Sequence, residues 1–456
     1  MTNTPIRILV AEFIPSFNKG ELAILNGMLK SFEALGEVEV TIFSFHPEID
    51  RARYPRSIKI IDVGYNLYLQ RRLHTRSKAR ALWDSFFAAL QHLLFMFLYR
   101  ILSKKTLKIM DKPLWRIYCE CDVIIICVDE VDCVNGSYLR ISPLYISWLA
   151  KTLRKPVVIY ANGTTRFTSG IWIWRLRTKR LWRILAKYIL AIVDLVTVRE
   201  EGTLHYFEEI SGGKVPIYLT ADPAFLLSST ALKRVKEIML DEKIEKNEGP
   251  LIGVAMTYDV LSEAFKSELN PATKYKKAVK EIARFLDKLI EEFSSTIIFV
   301  SHSIEPYGYR DDRIVAKDIH RLMLNKPMTR VITKEYSAQE LKGLFGQLDL
   351  LISCRVHAAI GALSMGTPSC IIARPWDRRA YNIIGKMAKQ EKWIYNVENL
   401  NADKLFALVS DLLGVSDKIR EGLPLIVNSV KEKALLNGRL LKALLNSYLR
   451  NDRITS

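Results

Sequence analysis

The sequence predicts an α/β protein built on two doubly wound parallel sheets. Three observations predict it: short Val- and Ile-rich runs that are apolar on both faces, helical patterns alternating with them, and a restart of the whole series halfway along the 456 residues. The composition is globular, 49% hydrophobic and 25% charged, which excludes collagen-like, mucin-like and largely disordered classes. Six cysteines over this length do not make a disulfide scaffold, so a reducing, cytoplasmic compartment is expected. Met1 to Phe13 holds no long apolar run and no small-residue cleavage site, so no secretory signal is expected.

In the first half, strands are expected at Ile6–Phe13, Val38–Phe45, Ile58–Val63, Asp122–Val128, Pro156–Ala161, Leu195–Val198 and Ile217–Thr220. Helices fit between them at Glu21–Ala34, Tyr138–Leu153, Ile171–Ala191 and Glu201–Ile210. A polar stretch, Ser228 to Pro250, closes on Gly249-Pro250 and reads as the domain boundary. Strands then resume at Leu251–Met256, Thr296–Ser301, Arg330–Thr333, Leu348–Ser353, Ser369–Ala373 and Trp393–Tyr395, before a helical tail. The expected organisation is a domain at 1–227 with a basic and apolar helical insertion near 66–118, a linker at 228–250, a domain at 251–400, and helices at 401–456. Two such series read as Rossmann-like domains facing each other across a cleft.

Open parallel sheets bind ligands beyond the carboxyl ends of their strands. The residues there are Asn18-Lys19-Gly20-Glu21, Asp129-Glu130, Asn162 through Arg166, Arg199, and Cys354-Arg355-Val356-His357. Gly20 would let the backbone approach a ligand as its helix opens. Arg355 and His357 are two apart, so in an extended segment both point the same way, ahead of a helix expected at Ala358–Met365 whose free N–H groups favour an anion. With Arg199 they would suit a small, multiply charged anion. Asp129 and Glu130 read equally well as helix caps, and Asp222-Pro223 as a turn.

The order of several short motifs resembles the polysaccharide pyruvyl transferase family. They are Asn18-x-Gly20-Glu21, Lys155-Pro156-Val157, Val198-Arg199-Glu200, Asp222-Pro223-Ala224-Phe225, Ser353-Cys354-Arg355-Val356-His357 and Gly366-Thr367-Pro368. The resemblance implies a two-domain fold of the glycosyltransferase-B type. It implies phosphoenolpyruvate as donor substrate, with no cofactor or metal required, and transfer of pyruvate to two hydroxyls of a sugar, in a polysaccharide or lipid-linked glycan precursor, as a cyclic ketal. Carried over by motif, Arg199 and Arg355 would hold the donor's anionic groups, the backbone at Val356 would face the phosphate, and His357 would be the proton donor. Asn18, Gly20, Glu21, Asp129 and Asn162 would line the acceptor side. The loop after Val128 departs from the family's glycine-rich pattern. Two other readings fit the same architecture: a nucleotide-sugar glycosyltransferase, and a non-catalytic scaffold at a membrane surface.

The net charge of +18 is concentrated in two segments. Arg51 to Arg116 holds 15 Lys/Arg against three acids, and Arg166 to Lys187 holds seven against none. The run Leu82–Leu102 is interrupted by Asp84, Gln91, His92 and Arg100, so it reads less as a membrane span than as a helix lying at a membrane interface, or as one packed on the domain with its lysines and arginines solvated outside. An anionic membrane surface met through 71–108 and 171–187 is therefore an expected partner, at the inner face of the membrane. Nucleic acid is not, since no recognised binding module accompanies the charge. Cys119, Cys121, Cys127 and Cys133 read as ordinary thiols without metal-ligand spacing.

Overall fold

The computed structural model describes residues 4–44, 47–62, 78–110, 112–126, 134–135, 138–139, 142–164, 183–305 and 310–455. The chain forms two compact units. The first comprises Met1–Ile14, Ser31–Thr220 and Leu435–Ser456, and the second Pro15–Lys30 and Ala221–Ala434. Each is a Rossmann-like parallel sheet with helices.

The first sheet contains β1 (Ile6–Phe13), β2 (Val38–Ser44), β3 (Ile58–Asp62), β4 (Val123–Ile126), β5 (Val157–Asn162), β6 (Leu195–Val198) and β7 (Ile217–Leu219). Their order in space is β3-β2-β1-β4-β5-β6-β7, with every neighbouring pair parallel. The second holds β8 (Leu251–Ala255), β9 (Thr296–Phe299), β10 (Thr329–Val331), β11 (Leu350–Ser353), β12 (Ser369–Ala373) and β13 (Ile394–Asn396), ordered β10-β9-β8-β11-β12-β13 and likewise parallel. In both, the strand order reverses between the first strand and the fourth of the series, which is where such sheets bind ligands.

Period-2 alternation explains why these strands are apolar throughout. In the second sheet Ile252, Val254, Ile297, Phe299, Leu350 and Ile352 pack into one core layer. Their chain neighbours Leu251, Ala255, Ile298 and Leu351 pack into another on the opposite face. Helix Pro271–Phe293 lines the first layer through Ala278, Ile282, Phe285 and Leu289, and helix Ala338–Phe345 lines the second through Leu341 and Leu344.

The insertion expected near 66–118 includes helices Lys78–Leu102 and Pro113–Glu120. It supplies part of the first core rather than standing apart from it. Phe95 stacks on Trp115 with ring centroids 4.3 Å apart, and both are buried with Leu9, Ile124 and Ile159. Among the described residues no helix is long and apolar enough to cross a membrane. Segment 171–182 of the second basic stretch lies outside the described residues, and the helix expected from Ile171 is described from 183 to 192.

Four boundaries differ from the expected ones. The polar stretch Ser228–Pro250 is not simply a linker, because it contains the helix Leu232–Asp241, which buries Val235 and Ile238 and pairs Arg234 with Glu340 at 2.8 Å. The division falls instead between Thr220 and Ala221. Residues 15–30 count with the second unit, where Asn18 bridges to Ser303 and Gln339 donates to Asn26 at 3.1 Å. The end of the tail helix Ser416–Thr455 belongs to the first unit: buried Asn437 accepts from Thr197 at 2.6 Å and Thr220 at 3.0 Å, and Tyr448 donates to Asp194 at 2.6 Å. The helix expected from Tyr138 begins at Ser142, ahead of Pro143, a residue suited to a first helical turn, while Tyr138–Leu139 pairs antiparallel with Val134–Asn135.

His92, on Lys78–Leu102, meets the Tyr145 hydroxyl at 2.6 Å and the edge of Trp115. Burial, with Lys112 nearby, pushes its imidazole down from 6.5 to about 4. A histidine held neutral contributes stability that is complete above its unfolded pKa of 6.5 and is lost as pH falls toward 4, on the order of 3 kcal/mol in all. His92→Gln is therefore expected to lose less stability than the wild type between about pH 7.5 and 5 in urea unfolding. Equal losses in the two proteins would refute the assignment.

Candidate active site

β11 ends at Ser353, whose hydroxyl accepts from the Arg355 N–H at 2.8 Å and donates to the Arg355 carbonyl at 2.9 Å. That local clasp turns the chain sharply. Arg355 becomes the extended N-cap (φ −101°, ψ 111°) of helix Val356–Leu363, which starts two residues earlier than expected. His357 is thus in the first helical turn, so the two side chains do not share one side of an extended segment. Each has its own carboxylate partner, Asp312 for Arg355 and Asp222 for His357. The first N–H groups of this helix have no acceptor within it, which leaves an electropositive end at the reversal point of the second sheet.

Arg355 is held by Asp312, with Nη2 to Oδ1 at 2.6 Å and Nε to Oδ2 at 3.2 Å. Asp312 itself is buried, and its Oδ2 also accepts from the N–H groups of His302 at 3.1 Å and Ser303 at 2.9 Å. Burial raises the Asp312 pKa despite Arg355 nearby. On Arg355 burial opposes the charge, but Asp312 outweighs it and the pKa is raised. The Arg355 side chain remains 19% exposed. Among the described residues its Nη1 makes no hydrogen bond, leaving that end as the donor for an incoming anion.

His357 lies against Gly20. A Cβ at Gly20 would sit 2.4 Å from His357 Nδ1 and 2.7 Å from Cγ, so only glycine permits the approach. The glycine expected to admit a ligand thus admits the histidine ring. Asn18 fixes this turn, its side chain accepting the Gly20 N–H at 2.9 Å. On the other side, His357 Nε2 is 3.5 Å from Oδ2 of Asp222, within ion-pair reach. Asp222 is fully buried, and its Oδ1 accepts from Ala224 N–H at 2.9 Å. The turn expected there is present, and it aims the second oxygen at the histidine.

Four further groups complete the surroundings. Lys19 is buried and pairs with Glu335 at 2.5 Å, while its N–H donates to the His302 carbonyl at 2.9 Å. Burial, reinforced by His357, Arg355 and Lys19 nearby, holds the His302 imidazole well below its ordinary value, favouring its neutral form. Glu21 is buried in the first turn of helix Lys19–Phe32. Arg374, after β12, is engaged with Glu263 at 3.0 Å and the Asp259 carbonyl.

Arg199 and Asn162 belong to the first unit. Arg199 follows β6, is fully buried, and donates its N–H to the Asn162 carbonyl at 3.0 Å. Its guanidinium lies over Gly163, where a Cβ would come within 2.5 Å of Nε. Next to it, Glu200 accepts from the Thr203 hydroxyl. Asp129 lies outside the described residues. Sequence reasoning missed Asp312 and Glu335 as partners, because nothing in their own surroundings marks them: they are identified only by the side chains brought to them.

An arginine clamped by a buried carboxylate and a histidine flanked by a second one thus stand at the head of a helix on a Rossmann-like sheet, an arrangement found in enzymes that transfer groups. Residues 18–375 match the polysaccharide pyruvyl transferase model, and the chain belongs to that family of polysaccharide-modifying transferases. It is 22% identical over 324 residues to the amylovoran biosynthesis protein AmsJ of Erwinia amylovora, covering 70% of this chain and 73% of that protein. Among solved structures, it is similar in fold to a Glycyrrhiza uralensis glycosyltransferase, UGT73P12 (TM-score 0.55, 13% identity, 99% of this chain and 98% of that one). The UDP-GlcNAc 2-epimerase of Neisseria meningitidis gives a TM-score of 0.54 at 10% identity, covering 97% of this chain and all of that one (100%).

Gly20→Ala is expected to displace the His357 ring and lower kcat by roughly tenfold or more, with the far-ultraviolet circular dichroism unchanged. A variant with wild-type kcat would show that the contact does not position the histidine.

Proposed function

We propose that this enzyme takes the pyruvyl group from phosphoenolpyruvate and attaches it to two hydroxyls of a glycan as a cyclic ketal, releasing phosphate. The observation that carries this reading is the pairing of an acid–base group, His357 beside Asp222, with a fixed cation, Arg355, across a single residue at a helix N-terminus.

In this reading Arg355 Nη1 and the N–H groups opening helix Val356–Leu363, that of Val356 included, receive the donor's negative charge. Protonated His357 gives its proton to the methylene carbon of the enol phosphate, converting it to a methyl group and making the adjacent carbon electrophilic. A sugar hydroxyl attacks that carbon, and its proton returns to the imidazole. The C–O bond to phosphate then breaks, phosphate leaves with the electron pair, and the second hydroxyl closes the ketal. Of the two hydroxyl protons, one offsets that delivered to the methyl group and the other leaves with phosphate. Asp222 balances the imidazolium charge through the cycle. His302, neutral and behind the site, does not compete for the proton.

Calorimetric titration of phosphoenolpyruvate is expected to give micromolar binding that Arg355→Ala weakens at least tenfold. His357→Gln is expected to retain binding while losing about two to three decades of kcat. Binding of UDP-sugars in place of phosphoenolpyruvate would overturn the donor assignment in favour of glycosyl transfer. Silence from both would favour a non-catalytic role.

A further inference from the structure

Helix Lys78–Leu102 carries two apolar faces, of which one is core. His92, Phe95 and Met96 point inward, at most 8% exposed. On the opposite side Trp83, Phe87, Leu90, Leu94, Phe97 and Ile101 recur at spacings of four and three residues, forming one line along the helix, and each is between 48% and 63% exposed. Six large apolar side chains presented in a row are far more than a scatter of surface hydrophobics. The stripe runs into a basic end: Arg100, Lys104, Lys105 and Lys108 are all exposed. In sequence, its other end begins with Lys78 and Arg80.

We propose that this face docks on an anionic lipid surface, the helix lying parallel to the membrane with the stripe at the boundary between headgroups and acyl chains. Charge selects this occupant. From Arg51 to Arg116 the chain has 15 Lys/Arg against three acids, and Asp84 is the one acid within the helix. A second copy of the chain would bring the same basic segment against itself in a two-fold pairing, with almost no carboxylates to offset it. An anionic bilayer supplies both the apolar layer and the opposite charge. Insertion along the membrane normal is excluded by the inward face, whose residues are committed to the first core.

The test is flotation of the full chain with vesicles of phosphatidylcholine alone and with about one-third phosphatidylglycerol. Anionic vesicles are expected to carry the protein. Binding is expected to fall at least tenfold in Leu90→Ser/Leu94→Ser/Phe97→Ser and several-fold in Lys104→Glu/Lys105→Glu. These positions are exposed, and unfolding midpoints close to the wild type's confirm that each variant is folded. Should the serine variant lose stability, the glutamate variant alone decides. Absence of flotation, equal binding to neutral vesicles, or undiminished binding by the variants overturns the proposal. So does a wild-type dimer in sedimentation that the serine variant abolishes, which would assign the stripe to a second copy.

Discussion

The contact on which the second unit's chemistry depends is the ion pair between Arg355 and Asp312. It joins the end of β11 to the start of the helix that follows β9, and the same carboxylate gathers the His302 and Ser303 N–H groups. A charge this far from water needs such a partner. Removing one member of a buried pair typically costs about 3–5 kcal/mol, because the survivor is left uncompensated. Asp312 therefore does more than hold Arg355 still. It makes it possible for an arginine to stand, mostly buried, at the reversal point of the sheet, with one end of its guanidinium turned outward.

Around that pair, several polar groups have neighbours that fix their orientation. Ser353 bends the chain, Asn18 holds the turn against which His357 rests, and Asp222 divides its two oxygens between a backbone N–H and the imidazole. The two carboxylates serve different bases, one permanently charged and one able to exchange a proton. Such a separation gives the two side chains different electrostatic surroundings at one helix start.

The fold was legible because parallel strands covered on both faces must be apolar at every position, and runs such as Leu251–Ala255 and Leu350–Ser353 are. Helix Leu232–Asp241 was missed because only Val235 and Ile238 turn inward, and a short amphipathic helix with two apolar anchors reads as a polar linker. Arg355 and His357 were legible from their place after a strand. Their shared direction was misjudged because Ser353, bonding the Arg355 backbone at the strand end, turns the chain into the helix two residues early. Asp312 and Glu335 could not be found by spacing, since they reach the site from the far ends of other connections. The exposure of one face of Lys78–Leu102 was equally hidden: the sequence shows that the helix is apolar and basic, and only packing decides which side is covered.

The division of the chain has a consequence for how such a protein can be inherited. The first unit is assembled from three separate stretches and the second from two. The helix whose Gly20 accommodates His357 is encoded far upstream of it, ahead of nearly all of the first unit. No single crossover between genes could exchange one unit and leave the other whole. Any recombinant joined at the boundary near residue 220 would combine a histidine from one ancestor with the glycine turn of another. The contact between Gly20 and His357 thus ties distant parts of the gene together, and the units are expected to have evolved as a linked pair, diverging by substitution rather than by shuffling.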